Sequence, residues 1–564
     1  MTLTHLGPQG RIFGAGRPYH ARELSGIFCT KPRDRGAAAG PCAAPNPQGS
    51  SGILPTVPTL SFAPNIASLV QDCRALLVVA PAGVFAAEGF PELLPAPQQA
   101  LLLELAREQK PGDLGVVAAT LTGAPAAPAA PAAPAASAAP ATQAVVGPRK
   151  LFTGVLPDQG SRYNSPARAE SVRRVVAGAD LGTTGKAGIV LVLTDAAHLL
   201  PAVNAVGRAI PVYTAKSSPA STLAVQLLAL DRSGQPIPIG PEVLATLHAT
   251  RTAAALVDTP PSELHPGAFA ARVREELAGL PGVELRELVG DELLVEKLGG
   301  IHAVGRCAVE QPRMVVASYT PKAGGGRHVA LVGKGVTYDT GGLSIKISGA
   351  MVSMKGDMGG AAAVLGAFKV LASSGCKHRV SLVLCIAENA VGPTAYKPDD
   401  VLRMHSGKTV EINNTDAEGR LLLADGVSYA ARVLGADVIL DAATLTGAQL
   451  VSTGLLHAAI VSNDEALEQL VIAAGKASGD LVHPLPFAPE FYRQEFESAV
   501  ADMCNSVKNR ANAQSACAAQ FVYWHIDDAP VRWCHVDLAG PSFPKNRGTG
   551  FGVALLSEVV RRIE

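Results

Sequence analysis

From about residue 260 onward, apolar strand-like runs alternate with small-residue helical runs at regular spacing. HVALVGKG (328–335) reads as a strand leading into a Gly-rich turn, and RVSLVLCIAEN (379–389), KTVEINN (408–414), DVILDAATLTG (437–447) and WCHVDLAG (533–540) read as further strands. Between them, DMGGAAAVLGAFKVLASSG (357–375) and EGRLLLADGVSYAARVLG (418–435) read as helices stopped by glycine. Such alternation predicts a mostly parallel sheet flanked by helices on both faces.

A chain of 564 residues is too long for one core. The expected fold class is therefore α/β with two domains, a C-terminal one over 261–564 and a smaller N-terminal α/β domain over 58–240. The smaller domain draws its strands from RALLVVA (74–80), GIVLVLTD (188–195) and LAVQLLALD (223–231), and a helix from PQQALLLELAREQK (97–110). EVLATLHATRTAAALVD (242–258) predicts a linker helix within 241–260, stopped by Thr259-Pro260-Pro261. A Pro/Ala-rich stretch at 122–143 favours extended polyproline II and reads as a surface insertion. Residues 1–57 have no apolar period. Their arginines (Arg11, Arg17, Arg22, Arg33, Arg35) fit either a disordered tail or an organellar targeting segment.

Zero formal net charge and the lack of a long basic run give no argument for nucleic acid or an anionic membrane as partner. Nine cysteines without a C-x-x-C pair, several in apolar runs such as that of Cys385, fit a reducing setting, and the expected location is cytoplasmic.

In sheets of this kind, functional groups collect where strands end and helices begin. Lys334 ends HVALVG, Asp339 and Lys346 lie in the following loop, and Asp357 opens the next helix. Asp416, Glu418 and Arg420 occupy the loop and first helical turn after KTVEIN. Four carboxylates gathered in a dry cleft need cations, and divalent ions such as Zn²⁺, Mn²⁺ or Mg²⁺ suit oxygen-rich clusters. Taken singly, Asp416 and Asp357 also fit helix caps, Glu418 a favourable place on a helix dipole, and the lysines solvated loops. Coincidence at three successive strand ends weighs against that simpler account.

KGVTYDTGGLSIK (334–346), MKGDMGGAAAV (354–364) and EINNTDAEGRLLLADGVSYA (411–430) closely resemble the leucyl (cytosol) aminopeptidase family, nearest to its aminopeptidase-like branch. The resemblance implies a metal-dependent enzyme that releases N-terminal, apolar, Leu-like residues from peptides by water activated at two metals. It implies metal ligation by Lys334, Asp339, Asp357, Asp416 and Glu418, with Asp339 and Glu418 bridging. Lys346 and Arg420 match the family's catalytic basic residues. Thr444, Leu445, Gly447 and Met354 match substrate contacts, although Met354 also suits ordinary core packing. Two divalent ions per subunit (Zn or Mn, with Mg or Co as alternatives), a bicarbonate at Arg420 and a homohexamer follow from the same resemblance. A silent or binding-only scaffold and an amidohydrolase of non-peptide substrates stay open. No His-Glu-x-x-His, Gly-x-Ser-x-Gly or Walker A string occurs.

Overall fold

Uninterrupted apolar runs become strands buried on both faces, as a sheet covered by helices on each side requires. Ala75–Pro81 is buried at every residue, and Arg379–Asn389 at all but its first and its penultimate residue. The computed structural model describes residues 57–122, 147–217, 221–322 and 324–564. The extension at 1–57 and the insertion at 122–143 lie, apart from Val57 and Thr122, outside the described residues.

Six strands form the first sheet, in the order Thr59–Phe62, Thr222–Leu230, Thr184–Val192, Ala75–Pro81, Lys150–Leu156, Val116–Leu121. Only the last pair is antiparallel. Eight strands form the second, in the order Val482–Pro484, Ala458–Ser462, Arg532–Asp537, Val438–Ala443, His328–Asp339, Arg379–Asn389, Arg313–Tyr319, Val283–Val289. Its four central strands are mutually parallel, and antiparallel pairs flank them. The fold is thus α/β with mostly parallel sheets.

Helix Pro241–Asp258 begins with proline at its first turn, where no intrahelical N–H is needed, and stops before Thr259-Pro260. Its Leu247 packs into the first sheet's core, whereas Ala249, Ala253, Leu256 and Val257 pack into the second's. A buried ion pair adds to this join. Arg208 Nη1 lies 2.6 Å from Asp480, and Arg208 also donates to the carbonyls of Thr549 and Gly550. Among the described residues, no helix is long and apolar enough to cross a membrane.

Three details differ from the sequence expectation. His328–Asp339 is one twelve-residue strand, so Lys334 sits inside it and not at its end. The glycines that suggested a turn serve close packing. A Cβ on Gly333 would stand 2.6 Å from the Ala361 backbone, because helix Gly359–Ser373 lies directly on the strand. Asp357 precedes that helix by two residues, closing a short 3₁₀ turn, Met354–Gly356. Only Thr409–Glu411 of 408–414 is a strand, and it belongs to a separate three-stranded sheet with Val401–Arg403 and Met503–Cys504. The loop to helix Gly419–Arg432 therefore enters the site from outside the main sheet.

Asp425 ties that helix down. Its carboxyl, fully buried, accepts from the backbone N–H groups of Gly300, Ile301 and His405. Burial pushes it up to about 7, against the pull of those three donors. The neutral acid is thus favoured when folded, so its contribution to stability falls as pH rises from the ordinary aspartate range toward about 7. Asp425→Ala would strand three buried donors and is expected to cost about 2–4 kcal/mol. Chemical denaturation checks this, and a loss below 1 kcal/mol, in the range of a surface change, would contradict it.

Candidate active site

Glycine decides how closely the chain segments of this site can approach. Gly341 and Gly342 follow Asp339 with φ of 84° and 62°, a left-handed backbone that side chains resist. A Cβ on Gly341 would lie 2.6 Å from the Ser344 carbonyl and 2.9 Å from Asp416 Oδ1. Gly419, the first residue of its helix, leaves no space either, since a Cβ there would meet Lys334 Cε and Nζ at 2.6 Å. The loop after Asp339 and the start of helix Gly419–Arg432 thereby close over the strand that carries Lys334.

Lys334 is buried at the centre. Its Nζ donates to Asp357 Oδ1 (2.8 Å) and the Thr444 carbonyl (3.0 Å), and lies 2.9 Å from Glu418 Oε1. Lys346 Nζ stands 2.8 Å from Asp339 Oδ2 and 2.5 Å from Asp416 Oδ1. Carboxylate oxygens of Asp339, Asp416 and Glu418 can all lie within 4.8 Å of one another. Six of the charged residues expected from sequence, Lys334, Asp339, Lys346, Asp357, Asp416 and Glu418, thus form one cluster. Arg420 is buried in the adjoining first helical turn, where Nη1 donates to the Asn505 carbonyl at 3.0 Å. Its Nε has no partner.

The electrostatics of the cluster are unbalanced. Burial first, then repulsion from Glu418, raises Asp339, and burial with Asp339 raises Asp416. Asp357 is pushed well above the carboxylate range by burial, and Glu418 and Asp339 add to it while Lys334 opposes. Burial alone would lower both ammonium groups. Asp357, Glu418 and Asp339 instead hold Lys334 above its usual range, and Asp339 and Glu418 do the same for Lys346. Even so, four carboxylates face two lysines, and Glu418 Oε2 is buried with no hydrogen-bond partner. A donor set of oxygens with excess negative charge and an orphaned carboxylate oxygen fits divalent cations.

The four residues expected to touch substrate lie on two neighbouring segments. Thr444, Leu445 and Gly447 follow strand Val438–Ala443. Thr444 Oγ1 donates to Asp357 (2.8 Å), and Leu445 N donates to Asp537 (3.0 Å). Met354 is half-buried, three residues before Asp357.

Several supporting residues escaped sequence reasoning. Thr415 Oγ1 donates to the Gly341 carbonyl and accepts from Ser344 N, pinning the two loops together. Asn505 accepts from Asn413 N and Asn414 N and donates to the Asn414 carbonyl. Asp537 takes Leu445 N, Thr446 Oγ1 and Ser515 Oγ. Asn389 and Asp537 end apolar strands at the functional edge, a signal the sequence did offer. Asn505 carried none.

Comparison with known proteins agrees with this picture. The family model described as "Cytosol aminopeptidase family, catalytic domain" matches residues 251–557, and "M17 aminopeptidase N-terminal domain 2" matches 129–219. The chain is 44% identical over 412 residues to the probable aminopeptidase NPEPL1 of Homo sapiens, covering 71% of this chain and 77% of that one. The solved leucyl aminopeptidase of Trypanosoma cruzi superposes with a TM-score of 0.79 at 34% identity, over 90% of this chain and 98% of that one. The bottromycin maturation enzyme BotP, solved in complex with Mn, gives 0.68 at 30% identity, over 87% and 99%.

Packing at Gly419 can be tested directly. Gly419→Ala is expected to push Lys334 aside and destabilise the protein by about 1–3 kcal/mol. Denaturation of the metal-free protein measures it, and unchanged stability would mean that Lys334 has room to move.

Proposed function

The chain belongs to the cytosol aminopeptidase family, a family of metal-dependent peptide hydrolases, and on that premise we propose that Lys334, Asp339, Asp357, Asp416 and Glu418 hold two divalent cations that serve the release of N-terminal residues from peptides. The chain is a leucyl-type aminopeptidase. The observation that carries the two-cation reading is the surplus of carboxylate in a buried cluster, with Glu418 Oε2 left unpartnered. Asp339, Asp416 and Glu418, whose carboxylate oxygens lie together, would form the core of that ligand set, and Mn²⁺ and Zn²⁺ are the first candidates.

The bound ions would supply Lewis acidity, lowering the pKa of water and anchoring the substrate's free amine. The remaining work falls to the chain. Lys346 Nζ, on the open side of the cluster between Asp339 and Asp416, donates to the substrate carbonyl oxygen as negative charge builds there. Lys334 must surrender its proton to act as a ligand, so its ammonium competes with metal. Arg420 is lowered by burial to about 10, which leaves it charged at neutral pH and unsuited to act as a base. Its unpartnered Nε and retained charge support a place beside it for an anion such as bicarbonate, a group that would supply a proton carrier. Backbone groups of Thr444, Leu445 and Gly447 would line the bound peptide. Met354 and Leu445, both half-buried, would favour apolar N-terminal side chains such as leucine.

Self-association belongs to the same reading. Ile345, Ile347 and Val352 in the loop after Asp339, and Leu450, Val451 and Leu455 beyond Gly447, are exposed. Exposed apolar side chains on these two segments support burial against further copies, as in a homohexamer, and the likeness to a probable cytosol aminopeptidase supports the cytoplasm as the setting.

Leucine p-nitroanilide should be cleaved by Mn²⁺- or Zn²⁺-loaded protein. No activity across several amino-acid amides with metal demonstrably bound would overturn the proposal. Asp416→Ala should abolish turnover and lower metal content, whereas Arg420→Ala should slow turnover about 10²–10³-fold with metals retained. Both variants keeping full rates would remove the site assignment. The raised carboxylates and the Lys334 ammonium hold protons that metal must displace. Metal affinity should therefore tighten as pH rises from 5 to 8, with proton release visible by calorimetry, and a flat profile would contradict the ligand set.

A further inference from the structure

Strand Arg379–Asn389 runs parallel to His328–Asp339, and their pairing slips between Ala387 and Asn389, so that Asn389 stands opposite Asp339. Such an irregularity re-aims a side chain. Here it turns Asn389, which is fully buried, toward the carboxylate cluster. Asn389 Nδ2 donates to Asp339 Oδ1 at 2.8 Å and to the Thr415 carbonyl at 3.1 Å. Both partners are acceptors. The amide orientation is therefore fixed, because the flipped form would set Oδ1 against a carboxylate and a carbonyl.

We propose that Asn389 is a positioning residue for the metal-dependent reaction, holding Asp339 and the backbone just before Asp416 in register with each other. The inference rests on the two-cation reading above. Asp339 Oδ1 is taken by Asn389 Nδ2 and Gly341 N, which leaves Oδ2 to face Lys346 and the open side of the cluster. The Thr415 carbonyl is gripped twice, by Asn389 and by Tyr396 Oη at 2.6 Å, and Asp416 is the next residue. The Asn389 carbonyl in turn accepts from Thr340 N and Thr340 Oγ1, fixing the residue after Asp339. One side chain thus couples the end of the central strand to a loop that arrives from a different sheet. Without the Asn389 amide, Asp339 Oδ1 keeps only Gly341 N, its broad terminal torsion is less restrained, and its tie to the segment that carries Asp416 falls to Lys346 and the Thr415–Gly341 bond.

The test compares wild type with Asn389→Asp, Asn389→Ser and Asp339→Asn. Mn²⁺ affinity is read by competition with a chelator, kcat and KM with leucine p-nitroanilide, and folding by the Tm of the metal-free protein. Both Asn389 variants should bind Mn²⁺ about 10–100-fold more weakly, the usual effect of removing a group that orients a metal ligand. Their kcat at saturating metal should fall about ten-fold with KM little changed, as expected when the reacting geometry and not substrate binding is lost. If Asn389→Asp does not fold, Asn389→Ser decides. A folded Asn389 variant with wild-type affinity and kcat, alongside an Asp339→Asn that has lost metal, would overturn the positioning role alone. Wild-type affinity in Asp339→Asn would overturn the two-cation reading and this inference with it.

Discussion

Four carboxylates packed beside two lysines in a buried pocket repel one another more than those lysines can offset, and the surrounding structure is arranged to hold them there. Burial raises Asp339, Asp357 and Asp416, while Lys334 and Lys346 are kept charged by the same carboxylates. Such a cluster has two ways to relax. It can keep protons, or it can take up cations, and the orphaned oxygen of Glu418 favours the second.

The fold's contribution is to bring distant segments close without side chains in the way. Gly333 lets helix Gly359–Ser373 lie on the central strand, Gly341 lets the following loop reach Asp416, and Gly419 lets a helix begin against Lys334. Two side-chain amides and a hydroxyl then lock what the glycines allow. Asn389, Thr415 and Asn505 hold the backbone from which Asp339, Asp416 and Glu418 project. These are buried hydrogen bonds, costly to leave unmade, so the cluster is held in place before anything binds.

Much of this was legible in the residues themselves. The strands at 379–389, 437–447 and 533–540 and the helices at 357–375 and 418–435 stand close to where the apolar patterns put them. The charged residues of the motifs do converge. What escaped was three-dimensional. Lys334 looked like a strand end because its flanking glycines mimic a turn, when they serve helix packing. KTVEINN looked like a strand of the main sheet because periodicity does not reveal which sheet a strand joins. Asn389 stood visibly at a strand end, but it and Asn505 bond to backbone groups far away in sequence, and no local spacing names those partners. Strand Arg313–Tyr319 and the edge strand Val283–Val289 beside it were passed over, the second because Glu284, Arg286 and Glu287 interrupt its apolar residues.

Direct location of the ions would decide the central claim, that this cluster is a two-cation site. Crystals of Mn²⁺-loaded protein, measured near the manganese absorption edge, report metal positions independently of activity. The account predicts two anomalous peaks inside the cluster. A single peak, or peaks only outside the group formed by Lys334, Asp339, Asp357, Asp416 and Glu418, would contradict it.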